Sequence, residues 1–286
     1  MTNNSKIVSS SEDAPSVRFQ RANGVLMLGA VCVAGETRLN TLRQNAPCRV
    51  FFPSVSDHSI MEAIIVNTGG GLVEGDRLST VITVGMGARL NVTTQAAEKI
   101  YRSLTETCAV SNDLRVAGDG HLIWLPRETI MFDGARLSRR LAVTVERKSR
   151  FLAAEVLIFG RIARGERLTH GQLRDTWSIH CDGKLLWMDC LRLEGDFAAH
   201  RARRFGFGDS TGLATVIYFG GDAASFLPFA RATAARNGGG ATLVNGILLA
   251  RFLNHDEALL RAAPAALAGE LAQIITGSVS RGTHES

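Results

Sequence analysis

Four carboxylates stand where their surroundings could put them to chemical use. The stretch "NTGGGLVEGD", residues 67 to 76, ends in Asp76 after the glycines Gly69, Gly70, Gly71 and Gly75. The stretch "LPRETIMFDGAR", residues 125 to 136, sets Glu128 and Asp133 on either side of apolar Ile130, Met131 and Phe132. The stretch "FLAAEVLIFG", residues 151 to 160, carries Glu155 alone in an apolar run. Paired carboxylates can do acid–base work when burial raises the pKa of one of them. Glu128 and Asp133 could form such a pair in an enzyme acting on a polysaccharide; the plainer reading is loop carboxylates satisfied by backbone amides or by Arg127 and Arg136.

The glycine stretch is not a phosphate loop. Such a loop needs a Lys and a Ser or Thr after its last glycine. Here Asp76, Arg77 and Leu78 follow, and the pattern continues as a strand rather than a helix. The glycines read as a close-packed turn, where glycine permits positive φ and close backbone approach. Glu74 and Asp76 are two apart, so on an extended backbone both side chains point the same way.

On a strand, Glu155 shares a face with Phe151, Ala153, Leu157 and Phe159, and a charge in such a row is costly unless paired. Arg161 and Arg164 follow closely, and the spacing favours a buried ion pair with one of them. The alternative is a polar group lining an internal passage. In "TTQAAEKIYRS", residues 93 to 103, Lys99, Tyr101 and Arg102 read as the basic edge of a strand. His180 and Cys181 are adjacent and point to opposite faces, and no HxH or HExxH stretch occurs. Any transition-metal site is therefore carboxylate-rich, weak or shared with a partner chain.

The elements that must position these groups are mostly strands. Leu78, Thr80, Ile82 and Val84 alternate with their neighbours, as do Leu90, Val92 and Thr94, and "LAVTVE" at 141 to 146. The run 151 to 160 is apolar on both faces, as in a strand covered on both sides. Asp182-Gly183 and Asn245-Gly246 suit type I′ hairpin turns. Helical signals come late: a helix near Leu227 ending at Asn237-Gly238, with Asp222 as a cap candidate, and a segment from Asp256 to Ile275 that Pro264 divides in two. The reading is a mainly β body with a few helices toward the C-terminus. It divides into a disordered arm (1–19), a β body (20–221), C-terminal helices with a β-hairpin (222–278) and a flexible tail (279–286). No fixed-length repeat is visible, and strands do not alternate with helices, which argues against a doubly wound sheet.

Composition narrows the class. Of 286 residues, 45% are hydrophobic, enough for a large core, and the net charge of +5 falls short of a nucleic-acid binder's. No run of about 18 apolar residues spans a membrane, and the N-terminus carries no secretory signal. Five dispersed cysteines read as reduced thiols, mostly core, in a cytoplasmic protein. The basic "HRARR" at 200 to 204 could face solvent or dock an acidic partner.

Taken in order, "GETRL" (35–39), "NTGGGLVEGDRL" (67–78), "TTQAAEKIYRS" (93–103), "LIWLPRETIMFDGARLSRR" (122–140) and "GRIARGE" (160–166) resemble the urease accessory protein UreD family, also called UreH. The resemblance runs from about residue 20 to about 195. It implies a β-solenoid-like body with C-terminal helices, and a non-catalytic chaperone rather than an enzyme. Such proteins bind UreF directly and the GTPase UreG through it, dock on apo-urease, sometimes as a dimer within the accessory complex, and assist nickel insertion. It implies no permanent cofactor, only transient nickel in a water-filled passage, for which Asp76, Glu128 and Glu155, and then Asp133, are the candidates. Oxygen ligands would hold nickel loosely enough to pass it on. The chain departs from the family pattern at Glu74, Arg127 and Ala154, which sets Glu74 aside as a shared functional group.

Overall fold

The structure, a computed structural model, describes residues 21–54 and 57–276, so the N-terminal arm and the C-terminal tail lie outside the described residues. Strands come in chain order as β1 (Asn23–Val33), β2 (Glu36–Asn45), β3 (Cys48–Phe51), β4 (Met61–Asn67), β5 (Arg77–Val84) and β6 (Arg89–Thr94). Then follow β7 (Glu98–Ile100), β8 (Cys108–Val116), β9 (His121–Leu125), β10 (Thr129–Met131), β11 (Arg136–Val145) and β12 (Arg150–Phe159). The hairpin β13 (His170–Cys181) and β14 (Lys184–Asp196) leads to α1 (Phe197–Ala202) and β15 (Gly212–Phe219). Last come α2 (Leu227–Arg236), the hairpin β16 (Gly239–Val244) and β17 (Ile247–Asn254), and α3 (Glu257–Thr276).

The chain coils. It passes from one sheet to the other and back, laying each new strand parallel to one placed a coil earlier. One sheet stacks β1, β5, β8, β11 and β13 in parallel. The other stacks β4, β6, β9 and β12. The result is a mainly β, solenoid-like body of about four turns with few helices. A short third column joins them: Leu72 bridges Ile100, which pairs with Met131, which pairs with Phe159.

Alternation explains the layers. On β5, Leu78, Thr80, Ile82 and Val84 turn inward and are buried. On β12, Phe151, Ala153, Leu157 and Phe159 face the core between the sheets, while Leu152, Ala154 and Ile158 face a second core under the C-terminal helix. Cover on both faces, by the other sheet on one and by the helix on the other, accounts for its unbroken apolar run. Both hairpin turns have the positive φ that their sequences suggest, at Asp182 (49°) with Gly183 (78°) and at Asn245 (48°) with Gly246 (81°).

Two expectations about helices change. Pro264 does not divide α3, which runs unbroken from Glu257 to Thr276. A proline inside a helix costs roughly 3 kcal/mol. The buried face of α3 includes Leu260, Leu267, Leu271 and Ile275. At about 2 kcal/mol for each such side chain, burial outweighs the proline. The length and apolar composition of α3 would also suit a membrane span, but its apolar face packs on β12, β15 and β17. Asp222 does not cap a helix; it accepts from the Tyr218 hydroxyl at 2.6 Å and pairs with Arg150 at 3.0 Å. The short α1 is capped by Asp196, whose carboxylate accepts from the Ala198 and Ala199 amides, and it gave no sequence signal.

Candidate functional site

The stacked coils leave a cavity of about 260 Å³ in their interior. Its walls come from both sheets and from the short column, with Thr80 and Asn112 from one sheet, Trp124 and Glu155 from the other, and Glu98 and Thr129 from the column. Its lining includes the exposed loop residues Gln95, Ala96 and Arg127 as well as the buried Glu155.

Glu155 is 5% exposed, and its partner is neither Arg161 nor Arg164. Arg161 pairs with Glu166 instead, across the short 3-10 turn at Ile162–Arg164. The cation beside Glu155 is Arg139, which reaches over from β11 in the facing sheet, with Nη1 3.0 Å from Oε2. Arg139 also grips Asp175 on β13 through a fork, Nε to Oδ1 at 2.9 Å and Nη2 to Oδ2 at 2.7 Å. Its Nη1 donates to Thr129 Oγ1 at 3.2 Å. The indole Nε1 of Trp124 donates to Glu155 Oε1 at 2.9 Å. Glu155 Oε2 makes no hydrogen bond, because Nη1 is close but not aligned. Burial raises the Glu155 carboxyl above its ordinary value, and Asp175 adds to this against the pull of Arg139. Burial alone would favour a neutral Arg139, but Asp175 and Glu155 outweigh it and hold the guanidinium charged.

A second carboxylate in the cavity went unnoticed in the sequence. Glu98 lies on β7 two residues before the fully buried Ile100, so it shares that residue's inward face while Lys99 points outward. Both Glu98 oxygens accept from Asn67 Nδ2, at 3.0 and 3.2 Å. Burial pushes the Glu98 carboxyl up to about 7, and nearby Asp76 adds to the shift. A carboxylate two places from an inward Ile on a strand is the signal that would have found it. Cys48 also lines the cavity, but burial pushes its thiol up to about 11, so it stays protonated at neutral pH.

The other three predicted carboxylates are held elsewhere and do not line this cavity. Asp76 is buried and staples the glycine turn: its Oδ1 accepts from the Ala22 amide at 2.7 Å and its Oδ2 from the Val73 amide at 2.9 Å. Glu74 fastens the same corner, accepting from the Leu104 and Thr105 amides, which hold its pKa below the ordinary value. In the turn, Gly70 and Gly75 have φ of 75° and 78°. A Cβ on Gly71 would stand 2.5 Å from Tyr101 Cε2, whereas Gly69 has no positive φ. Glu128 reaches α3 and accepts from Arg261 Nε at 2.9 Å. Asp133 accepts from the Thr169 and His170 amides and the Thr169 hydroxyl. Burial alone would raise the Asp133 pKa, yet these bonds hold it below the ordinary value. Glu128 and Asp133 thus serve different contacts. Among the described residues, no three His, Cys, Asp or Glu side chains come together as a metal cage.

A parallel-stacked β body with an apolar core, an internal cavity that holds Glu98 and Glu155, and a C-terminal helical layer defines the structural class. The sequence profile of the UreD urease accessory proteins matches residues 22–282. Urease accessory protein UreD of Methylobacterium sp. (strain 4-46) is 41% identical over 263 residues, covering 89% of this chain and 93% of the relative. UreD of Rhizobium rhizogenes (strain K84 / ATCC BAA-868) is 40% identical over 248 residues, covering 87% and 90%. UreD of Magnetococcus marinus (strain ATCC BAA-1437 / JCM 17883 / MC-1) is 38% identical over 249 residues, covering 85% and 86%. The chain belongs to the UreD urease accessory protein family.

Proposed function

We propose that this chain is a non-catalytic chaperone and scaffold in urease maturation. It binds UreF directly and UreG through UreF, docks on apo-urease in the cytoplasm, and assists delivery of nickel to the urease metallocentre. Nickel is cargo here, not a resident cofactor. The observation that supports the transport part is the internal cavity, whose lining includes both exposed loop residues and the carboxylates of Glu98 and Glu155. Oxygen ligands of this kind hold a borderline cation less firmly than thiolates do, and the one cavity thiol is kept protonated by burial. Asp76, Glu128 and Asp133 support the route from outside, by fixing the turn, the C-terminal helix and the 169–170 corner.

Two measurements test this. UreF and apo-urease should co-purify with the chain, and failure to form a soluble complex with UreF would defeat the scaffold reading. Urease matured with Glu155→Gln should contain less nickel while the accessory complex still assembles. Normal nickel content in that urease would remove Glu155 from the route.

A further inference from the structure

We propose that Arg139 sets the cavity's affinity for divalent cations and keeps it weak, by holding a fixed positive charge against the Glu155 oxygen that accepts no hydrogen bond. This inference rests on the passage reading above and assigns the residue that governs it. Glu155 has one oxygen engaged by Trp124 and the other, Oε2, without a hydrogen bond, although the residue is only 5% exposed. Oε2 accepts no hydrogen bond and is held only by the charge of Arg139, so a cation in the cavity would compete with that guanidinium for it. Arg139 Nη1 stands 3.0 Å from it. A divalent cation at Oε2 would meet that guanidinium at close range in a poorly screened interior, where like charges repel strongly.

Arginine cannot relieve the conflict by losing its proton. Nor can it readily swing aside, because Asp175 clamps it through two hydrogen bonds and Thr129 through a third. The arrangement thus offers a passing cation a partial charge rather than a full carboxylate site. Without Arg139, burial would favour the protonated Glu155 carboxyl, and a divalent cation could take Oε2 by displacing that proton to solvent with no guanidinium to repel it.

The test is nickel binding by the full-length chain in its accessory complex, measured by equilibrium dialysis with Ni²⁺ alone. Arg139→Met combined with Asp175→Asn removes one charge of each sign and leaves Glu155 ionisable. This variant should bind Ni²⁺ at least tenfold more tightly than the wild type. Adding Glu155→Gln should abolish the gain. Arg139→Gln with Asp175→Asn, which can keep an amide hydrogen bond at the same place, provides a second folded background should the first not fold. Arg139→Lys keeps the charge without the fork and should stay weak. A merely structural role for Arg139 predicts no gain of affinity in any of these. A folded double variant that binds Ni²⁺ no more tightly than the wild type overturns the proposal. That outcome is separable from failure of the passage itself, which is read from the nickel content of urease matured with Glu155→Gln.

Discussion

Glu128 and Arg261 lie 133 residues apart in sequence and touch at 2.9 Å, tying the β body to the C-terminal helix. Arg261 also pairs with Glu257 one turn earlier on α3, so a single guanidinium fastens the start of the helix to the coil beneath. Arg261 is 37% exposed, so the energy is discounted for solvent screening. Arg261→Met is expected to cost about 1 kcal/mol. The distinguishing readout is hydrogen exchange: amides in Glu257–Thr276 should exchange faster while those of β5 and β8 do not change. Uniform acceleration would mean that the pair has no local role.

Asp76→Ala leaves the Ala22 and Val73 amides without their acceptor in a part-buried corner. Loss of about 1 to 3 kcal/mol in urea denaturation is expected, from the two lost hydrogen bonds. Little change in midpoint would show that the turn does not depend on this staple.

Adjacent glycines should differ. Gly71→Ala sets a Cβ 2.5 Å from Tyr101 Cε2 and 2.7 Å from the Lys99 carbonyl oxygen, with φ at 146°. Gly70→Ala meets open space and carries only the strain of a φ of 75°. Thermal unfolding should show a cost of about 1 kcal/mol at Gly70 and clearly more at Gly71. Equal costs would contradict the close approach of β7 to the turn.

The Glu98 carboxyl is raised to about 7 by burial, so between its ordinary value and about 7 the folded state binds more protons than the unfolded. Stability therefore falls as pH rises through that window, by an amount on the order of 3 kcal/mol. Glu98→Gln should flatten this part of the stability–pH curve and be relatively more stable at pH 8 than at pH 5. Denaturation of both proteins across pH 4.5 to 8 decides it, and an unchanged slope in the variant would assign the titration to another group.

Local chemistry made much of the fold legible. Period-two alternation marked β5 and β11, and the Asp182-Gly183 and Asn245-Gly246 pairs marked two hairpins. The coil itself was not visible, because Leu72, Ile100, Met131 and Phe159 stack without sharing more than apolar character, at spacings of 28, 31 and 28 residues. A parallel stack demands only that an apolar residue come round again, not that its neighbours repeat. The same geometry hid the partner of Glu155. Arg161 and Arg164 are nearer in sequence on the C-terminal side, but in a coiled chain the facing residue comes from the opposite sheet, and that is Arg139. Shared-face reasoning placed Glu155 inward correctly because it needs only one strand. The cavity around it needs several coils, which no single stretch of sequence describes.

The parallel stacks also have finished ends. In the first sheet, β2 and β14 lie antiparallel to their neighbours at the two edges, and in the second β3 and β15 interrupt the parallel run. The parallel coil therefore stops at these strands. The molecule is therefore a gauge of set length rather than a segment of a rod. Six strand spacings of about 4.8 Å across the first sheet fix that length at roughly 29 Å. The number of coils, and not any one contact, sets the distance between its two edges.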